Sequence, residues 1–123
     1  MSDISPYKKD NQVLNLAFEF ALKIIEYTEE LESRKRFNMA NQLFKCGTSA
    51  HANIRQAQNA ESKSEFIHKM KIAAKEAEET EGWLLLCKYS NSYPQPDELL
   101  EKLTSILKLL NKIISTAKHP SAN

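Results

Sequence analysis

The sequence is short of the residues that punctuate β-rich folds. It holds only two glycines and four prolines among its 123 residues. A sheet protein of this length needs many tight turns and would contain more of both residue types. We therefore expect an all-helical chain, and its length predicts one domain over residues 1–123.

Cysteines and long apolar runs are also scarce. Cys46 and Cys87 are the two cysteines, and the chain starts Met-Ser-Asp without the basic and apolar regions of a secretory signal. Two buried free thiols in a reducing cytoplasm are favoured over a disulfide. No apolar run approaches the roughly 20 residues that cross a bilayer. The sequence thus predicts a soluble cytoplasmic protein that does not enter membranes.

What the sequence does contain is helical periodicity. Apolar residues recur at the spacing of one helix face in four segments, which predict helices over about residues 11–32, 37–60, 62–90 and 97–117. Ser62 and Glu65 have the spacing of a capping box at the start of the third. Four amphipathic helices with short connections predict an all-α, antiparallel up-down-up-down four-helix bundle.

The predicted second helix has an unusual inward face. Phe37, Phe44 and Gly47 all belong to it by periodicity. A glycine inside a helix costs about 1 kcal/mol relative to alanine. We expect the close approach of a neighbouring backbone at Gly47 to compensate, and a locally poor helix near a kink is the alternative.

The apolar surface exceeds what one core stripe requires. The first helix adds Leu16, Phe20, Leu22 and Tyr27 outside its main stripe. The fourth helix is apolar over more than the roughly 100° that face a core. A second buried face, and hence self-association, is favoured, while a wide core face is the alternative.

The known templates for catalysis are not met. Glu65 and His68 have the Glu-x-x-His spacing of di-iron bundles, but those sites need a second copy and two more inward carboxylates. Cys46 and His51 lie about 140° apart around a helix, which disfavours a thiol–imidazole pair. A Gly-rich phosphate loop, C-x-x-C and H-E-x-x-H are all missing. The sequence predicts no enzyme, no cofactor and no metal.

An acidic run on the third helix predicts a polar cluster. Glu76 and Glu79 lie beside the apolar face, where partly buried carboxylates need donors. We expect Asn53 of the second helix to join them in a structural polar network that fixes helix pairing. Ordinary solvated acids are the alternative.

Residues 49–57 and 64–84 carry a resemblance to a known family. The pieces Asn53-Ile54 and Lys75-Glu76-Ala77-Glu78-Glu79-Thr80 are similar to those of bacterial four-helix bundle proteins encoded in intervening sequences of large-subunit rRNA. Two departures are Gln56, where that family usually has Glu, and Gly82, where a larger residue is common. Gln56 puts in doubt any role that needs a negative charge there.

That resemblance implies a four-helix bundle that assembles as a ring-like homopentamer. It also implies a relationship to the accessory variability protein of diversity-generating retroelements, a ring to which nucleic-acid binding is attributed. Fold and assembly are implied more directly than function.

Charge is segregated along the chain. Residues 33–75 carry nine Lys or Arg and two acids, a net of +7, whereas the segments before and after them have nets of −4 and −2. In an up-down-up-down bundle many of the cations collect at one end, with acids at the other. The basic residues predicted at that end are Lys8, Lys9, Arg55, Lys63, Lys69, Lys71, Lys108, Lys112 and Lys118.

These cations, Lys108 apart, are the candidate nucleic-acid-binding residues. A cyclic oligomer would place their charges on one face, which could attract RNA or DNA phosphates without reading sequence. Scattered solubilising lysines are the alternative. Two further hypotheses are a scaffold for a protein partner, contacted through Trp83, Tyr89 and Tyr93, and a small-molecule pocket near Gly47.

Overall fold

The fold is an all-α bundle, as predicted. A computed structural model describes residues 11–118, which form four helices and no strand. The helices are α1 (Gln12–Ser33), α2 (Phe37–Ala57), α3 (Lys63–Tyr89) and α4 (Asp97–Lys118). The second helix ends before the predicted residue 60, because the amides of Asn59 and Ala60 bond three residues back, at 3.1 Å, and tighten the chain into a turn.

Local signals in the sequence set where the helices begin and end. The Ser62 hydroxyl accepts from the Glu65 amide at 3.0 Å, and the Glu65 carboxylate accepts from the Glu61 amide at 2.9 Å, a variant of the predicted capping box. At the end of α1, Arg36 N–H bonds Leu31 O at 2.8 Å. This Schellman-type end places Lys35 in the left-handed region, with φ 62°.

Neighbouring helices run antiparallel. From α1 to α2, Phe18 packs against His51 and Ile24 packs against Gly47, so residue numbers fall on one helix as they rise on the other. The Tyr27 hydroxyl donates to Pro94 O at 2.6 Å, just before α4. Since α1 also contacts α4, and α3 contacts both α2 and α4, the described helices close into a four-cornered bundle.

All four helices contribute to one core. The large side chains that are almost fully buried are Leu14, Phe20, Ile24, Leu31, Leu43, Ile54, Met70, Leu84, Leu103, Ile106 and Leu110. Cys46 and Cys87 are buried and free, which confirms the prediction of unpaired thiols. Burial raises the pKa of both thiols.

Several predicted faces were wrong in detail. Phe37 and Phe44 are 55% and 49% exposed rather than inward. Phe20 and Tyr27, assigned to a second face, are 1% and 8% exposed and belong to the core. A helix at the corner of a bundle touches two neighbours, so its buried face is wider than one stripe and is displaced from the centre of the periodic pattern.

The extra apolar residues of α4 also pack inward. The described structure places Leu100, Leu107, Leu109, Ile113 and Ile114 against the core cluster, partly buried. These residues are only partly buried within the bundle, so a second, intermolecular face on α4 stays a prediction beside the wide core face.

The close approach at Gly47 comes from a side chain. Ile24 Cγ1 lies 2.9 Å from the position that a Cβ on Gly47 would occupy. The expectation of a neighbouring backbone at this point was wrong, although the glycine is required by close packing. The branched Ile24 side chain fills the space that a second side chain would need.

Candidate nucleic-acid interface

One end of the bundle carries most of the predicted cations. The start of α1, the end of α2, the start of α3 and the end of α4 meet there, and Asn11 Nδ2 donates to Gln58 Oε1 at 2.7 Å between the first two. We call this the basic end. Its cations in the described structure are Arg55, Lys63, Lys69, Lys71, Lys112 and Lys118, with Lys108 further along α4.

The basic-end cations project from three different helices. All are exposed apart from Lys69, which is partly covered and donates to Gln56 Oε1 at 2.8 Å. Gln56, the departure noted in the sequence, therefore accepts a charge-assisted hydrogen bond from the Lys69 ammonium and adds no negative charge. Lys8 and Lys9 lie outside the described residues.

Ion pairing differs between the two ends. At the other end, Arg34 pairs with Glu30 at 2.7 Å and Lys88 with Asp97 at 3.0 Å. The bond to Asp97, together with its charge, raises the pKa of Lys88. Within residues 11–118, none of the basic-end cations is in an ion pair. Their charge is therefore available to an external anion.

Carboxylates at the basic end are few among the described residues. Glu61 and Glu65 lie in the turn and first turn of α3, and the Glu65 carboxylate accepts the Glu61 amide. Two helix N-termini and two C-termini meet at this end, so their dipoles largely cancel. The positive field there comes mainly from side chains.

The predicted polar network takes a different form. Asn53 Nδ2 donates within its own helix, to Ser49 O at 2.9 Å and Ser49 Oγ at 3.2 Å. No hydrogen bond in the part of the chain that the structure describes joins Asn53 to Glu76 or Glu79. Asn53 points to the local backbone because a short amide on a helix can reach the carbonyl four residues back.

The two glutamates instead line a groove between α2 and α3. Its described lining is Gln42, Lys45, Cys46, Ser49, Glu76 and Glu79. Glu79 Oε2 accepts a long bond of 3.4 Å from Trp83 Nε1. Burial raises the pKa of the Cys46 thiol, and the negative charges of both carboxylates raise it further. The thiol is therefore held protonated and is a poor nucleophile.

His51 is half-buried beside the Phe18 ring, with 5.6 Å between ring centroids. Its Nε2 atom has no hydrogen-bond partner among the described residues. Burial, and next the charge of Arg55, lowers the pKa of His51. This histidine is packed as an aromatic side chain.

Neither metal binding nor membrane insertion finds support in the described helices. Residues 11–118 contain no group of three or more His, Cys, Asp or Glu side chains placed to hold a metal ion. Within the same range, every helix is too short or too polar to cross a membrane.

The comparisons with known proteins agree with this architecture. The family model described as 23S rRNA-intervening sequence protein matches residues 9–112. This chain belongs to that family. A crystal structure of a protein with unknown function from the S23 ribosomal protein family of Bacteroides thetaiotaomicron VPI-5482 is similar, with 39% identity and a TM-score of 0.79. The similarity covers 83% of this chain and 97% of that one.

Curated proteins add nothing to that assignment, since none matches this chain. The family match confirms the resemblance drawn from residues 49–57 and 64–84. The relationship to retroelement accessory proteins stays a prediction.

The remaining candidate sites are the pocket near Gly47 and the aromatic residues predicted to contact a protein partner. Ile24 fills the space beside Gly47, so the predicted pocket there is not formed. Trp83 and Tyr93 are partly buried against the core, whereas Tyr89 is 79% exposed. Sequence reasoning missed Leu85 and Leu86 beside Tyr89, although their spacing on α3, outside the core stripe, could have indicated them.

Proposed function

We propose that this family member is a non-enzymatic, homo-oligomeric accessory protein that binds RNA or DNA through its basic end in the cytoplasm. The observation that carries the proposal is the set of exposed cations at that end, none of them in an ion pair within residues 11–118. Phosphate backbones attract such a surface without base readout.

Self-assembly would strengthen this binding. In a cyclic oligomer every subunit has the same orientation relative to the symmetry axis, so the basic ends add up on one face. The number of contacts with a phosphate backbone then multiplies with the number of subunits. By its resemblance to ring-forming relatives, we propose a homopentamer.

The test is binding of a short structured RNA and a duplex DNA, each followed by fluorescence anisotropy at several salt concentrations. With six phosphate contacts, affinity should fall by about 10³ between about 50 and 200 mM salt. Lys71→Glu together with Lys112→Glu should weaken binding more than tenfold (about 1.4 kcal/mol). Both positions are exposed at the basic end.

Lys35→Glu with Lys45→Glu is the matched control. It changes the net charge by the same amount at exposed positions nearer the other end. If the two double variants lose the same affinity for nucleic acid, binding depends on the net charge of the protein and not on the basic end. Binding that ignores salt would contradict the proposal.

A protein-binding scaffold is the second candidate function. It is favoured by Tyr89, which is 79% exposed beside the exposed Leu85 and Leu86. A protein partner would bind at this apolar surface with little dependence on salt. Its binding would be lost in Tyr89→Ala and kept in the Lys71 and Lys112 double variant, which separates it from nucleic-acid binding.

A further inference from the structure

The second half of α3 has an apolar face turned away from the core. Gly82, Leu85, Leu86 and Tyr89 share one side of the helix by their spacing. Leu85, Leu86 and Tyr89 are 41%, 56% and 79% exposed, and a Cβ on Gly82 would meet nothing within 4 Å. We call these four residues the α3 hollow: Gly82 has no side chain, the apolar residues follow it one and two turns later, and the exposed Glu78 and Glu79 lie one turn before it.

Nothing within the bundle requires a glycine at position 82. Glycine is disfavoured inside helices, and here an alanine would fit without touching a neighbour. Gly47 differs, since Ile24 occupies the space beside it. A glycine that is open to the outside, one turn before two exposed leucines, has room to receive a side chain from another molecule.

A second exposed apolar surface lies along α1 and α2. Leu22 of α1 is 47% exposed, and Phe44 and Phe37 of α2 are 49% and 55% exposed. Phe44 lies beside the groove between these helices, with Ile25 on the opposite wall. We call Leu22, Phe37 and Phe44 the α1–α2 ridge.

The hollow and the ridge lie at the same height along the bundle. The side chains of Cys46 and Thr80 interact between α2 and α3, and Lys69 bonds Gln56 in the same antiparallel register. Two residues back from Cys46 and two on from Thr80, Phe44 is level with Gly82. Seven residues earlier on α2 and seven residues later on α3, Phe37 is level with Tyr89.

The two surfaces cannot meet within one molecule. The α3 hollow faces outward, while the ridge lies on the side of α2 that borders α1, and α1 makes no contact with α3 in the described structure. A contact between the hollow and the ridge must therefore join two copies. Because it uses two different surfaces, it is heterologous, and such contacts build rings when the rotation closes.

We infer that the α3 hollow of one copy receives the α1–α2 ridge of the next, with Phe44 seated over Gly82 and Phe37 against Tyr89. The inference rests on the self-assembly in the proposed function and names the surfaces that perform it. Matching heights let the subunits stand side by side with parallel axes. That arrangement leaves the basic ends on one face.

The test uses two variants that each damage one surface. Phe44→Asp removes the ridge and keeps the hollow, and Leu86→Asp does the reverse. Light scattering should give an oligomer for the wild type and a monomer for each variant alone. An equal mixture should give a dimer, because one intact hollow and one intact ridge remain between the two chains.

Gly82→Arg is the third variant, and it distinguishes loss of the interface from unfolding of the subunit. Arginine is a better helix former than glycine and has open space at this position, so the bundle should keep its helical circular dichroism while the oligomer dissociates. Gln42→Asp and Thr104→Asp are matched controls at exposed positions outside both surfaces and should keep the wild-type mass.

The outcomes separate the two proposals. A monomeric wild type would overturn self-assembly and this interface together. A wild-type oligomer that persists in Phe44→Asp or in Gly82→Arg would overturn only the interface. Monomeric single variants whose mixture stays monomeric would also overturn the heterologous pairing.

Discussion

Ile24 Cγ1 lies 2.9 Å from the point where a Cβ on Gly47 would sit, with two further atoms of Ile24 within 3.2 Å. Ile24 is fully buried and branched at Cβ, so it has little freedom to move away. The contact explains why a helix interior tolerates a glycine.

Gly47→Ala should therefore destabilise the protein, despite a gain of about 1 kcal/mol in helix propensity. Overpacking costs about 1–3 kcal/mol in a filled core, so we expect a net loss of up to about 2 kcal/mol in urea unfolding. In an Ile24→Ala background the same change should become stabilising. A stabilising effect in the wild-type background would contradict the role of Ile24.

Lys35 offers the opposite case, a position where glycine should help. Its φ of 62° lies in the left-handed region at the end of α1. Lys35→Gly should raise the free energy of unfolding by about 0.5–1 kcal/mol, because glycine adopts this conformation without a steric cost. Lys45→Gly, at an exposed position inside α2, is the control and should lose about 1 kcal/mol.

Tyr27 should make stability sensitive to alkaline pH. Its hydroxyl donates to Pro94 O, and burial is the main cause that raises its pKa well above the ordinary value. A group whose pKa is raised on folding stabilises below its unfolded pKa, near 10, and this contribution is lost as pH rises further. Tyr27→Phe should cost about 1 kcal/mol at pH 7.

The loss caused by Tyr27→Phe should shrink when urea unfolding is repeated above pH 10. Both proteins should carry Cys87→Ala, because Cys87 interacts with the Tyr27 hydroxyl and its contribution would otherwise differ between them, whereas that of Cys46 cancels. A constant loss between pH 7 and the alkaline range would show that Tyr27 ionises as easily in the folded state as in the unfolded one.

His51 should make the free energy of unfolding sensitive to acidic pH. Burial and Arg55 lower its pKa in the folded state, so the unfolded chain binds the proton more readily. Stability should fall as pH drops below about 6.5, the ordinary histidine value. His51→Gln should lessen that fall in urea unfolding between pH 7.5 and 5.5, and a fall of unchanged size in this variant would contradict the role of His51.

The pairing of Asn53 with Glu76 can be measured directly. In the structure, Asn53 bonds Ser49 and the two side chains are not joined. Asn53→Ala and Glu76→Ala should therefore cost stability independently, with a coupling in a double-mutant cycle below about 0.5 kcal/mol. A larger coupling would restore the network predicted from the sequence.

Much of the fold could be predicted because the apolar pattern repeats with the helical period. The pattern locates the middle of each buried face, but not its width or how two helices share an edge. Phe44 and Phe20 show the consequence: one was assigned inward and is exposed, the other was assigned outward and is buried. Whether such a residue is buried depends on which helix packs beside it, and the apolar period of one helix carries no information about its neighbours.

The candidate site was predictable only as a charge pattern. Grouping Lys63, Lys71 and Lys112 at one end follows from topology alone, since alternating helices bring distant segments together. Whether a lysine is paired depends on side-chain geometry, as the bond of Lys69 to Gln56 shows. For the same reason, the α3 hollow became visible only when the space around Gly82 could be inspected.

The bond from Tyr27 to Pro94 spans 67 residues, and it bears on how the chain folds during synthesis. The side of α1 that carries Phe20 and Tyr27 has no partner until α4 has left the ribosome. At about 5–20 residues per second, this takes roughly 4–16 s after α1 emerges. During that interval the side of α1 that α4 will cover stays exposed on the nascent chain, and an exposed apolar side of a helix is the kind of surface that chaperones bind.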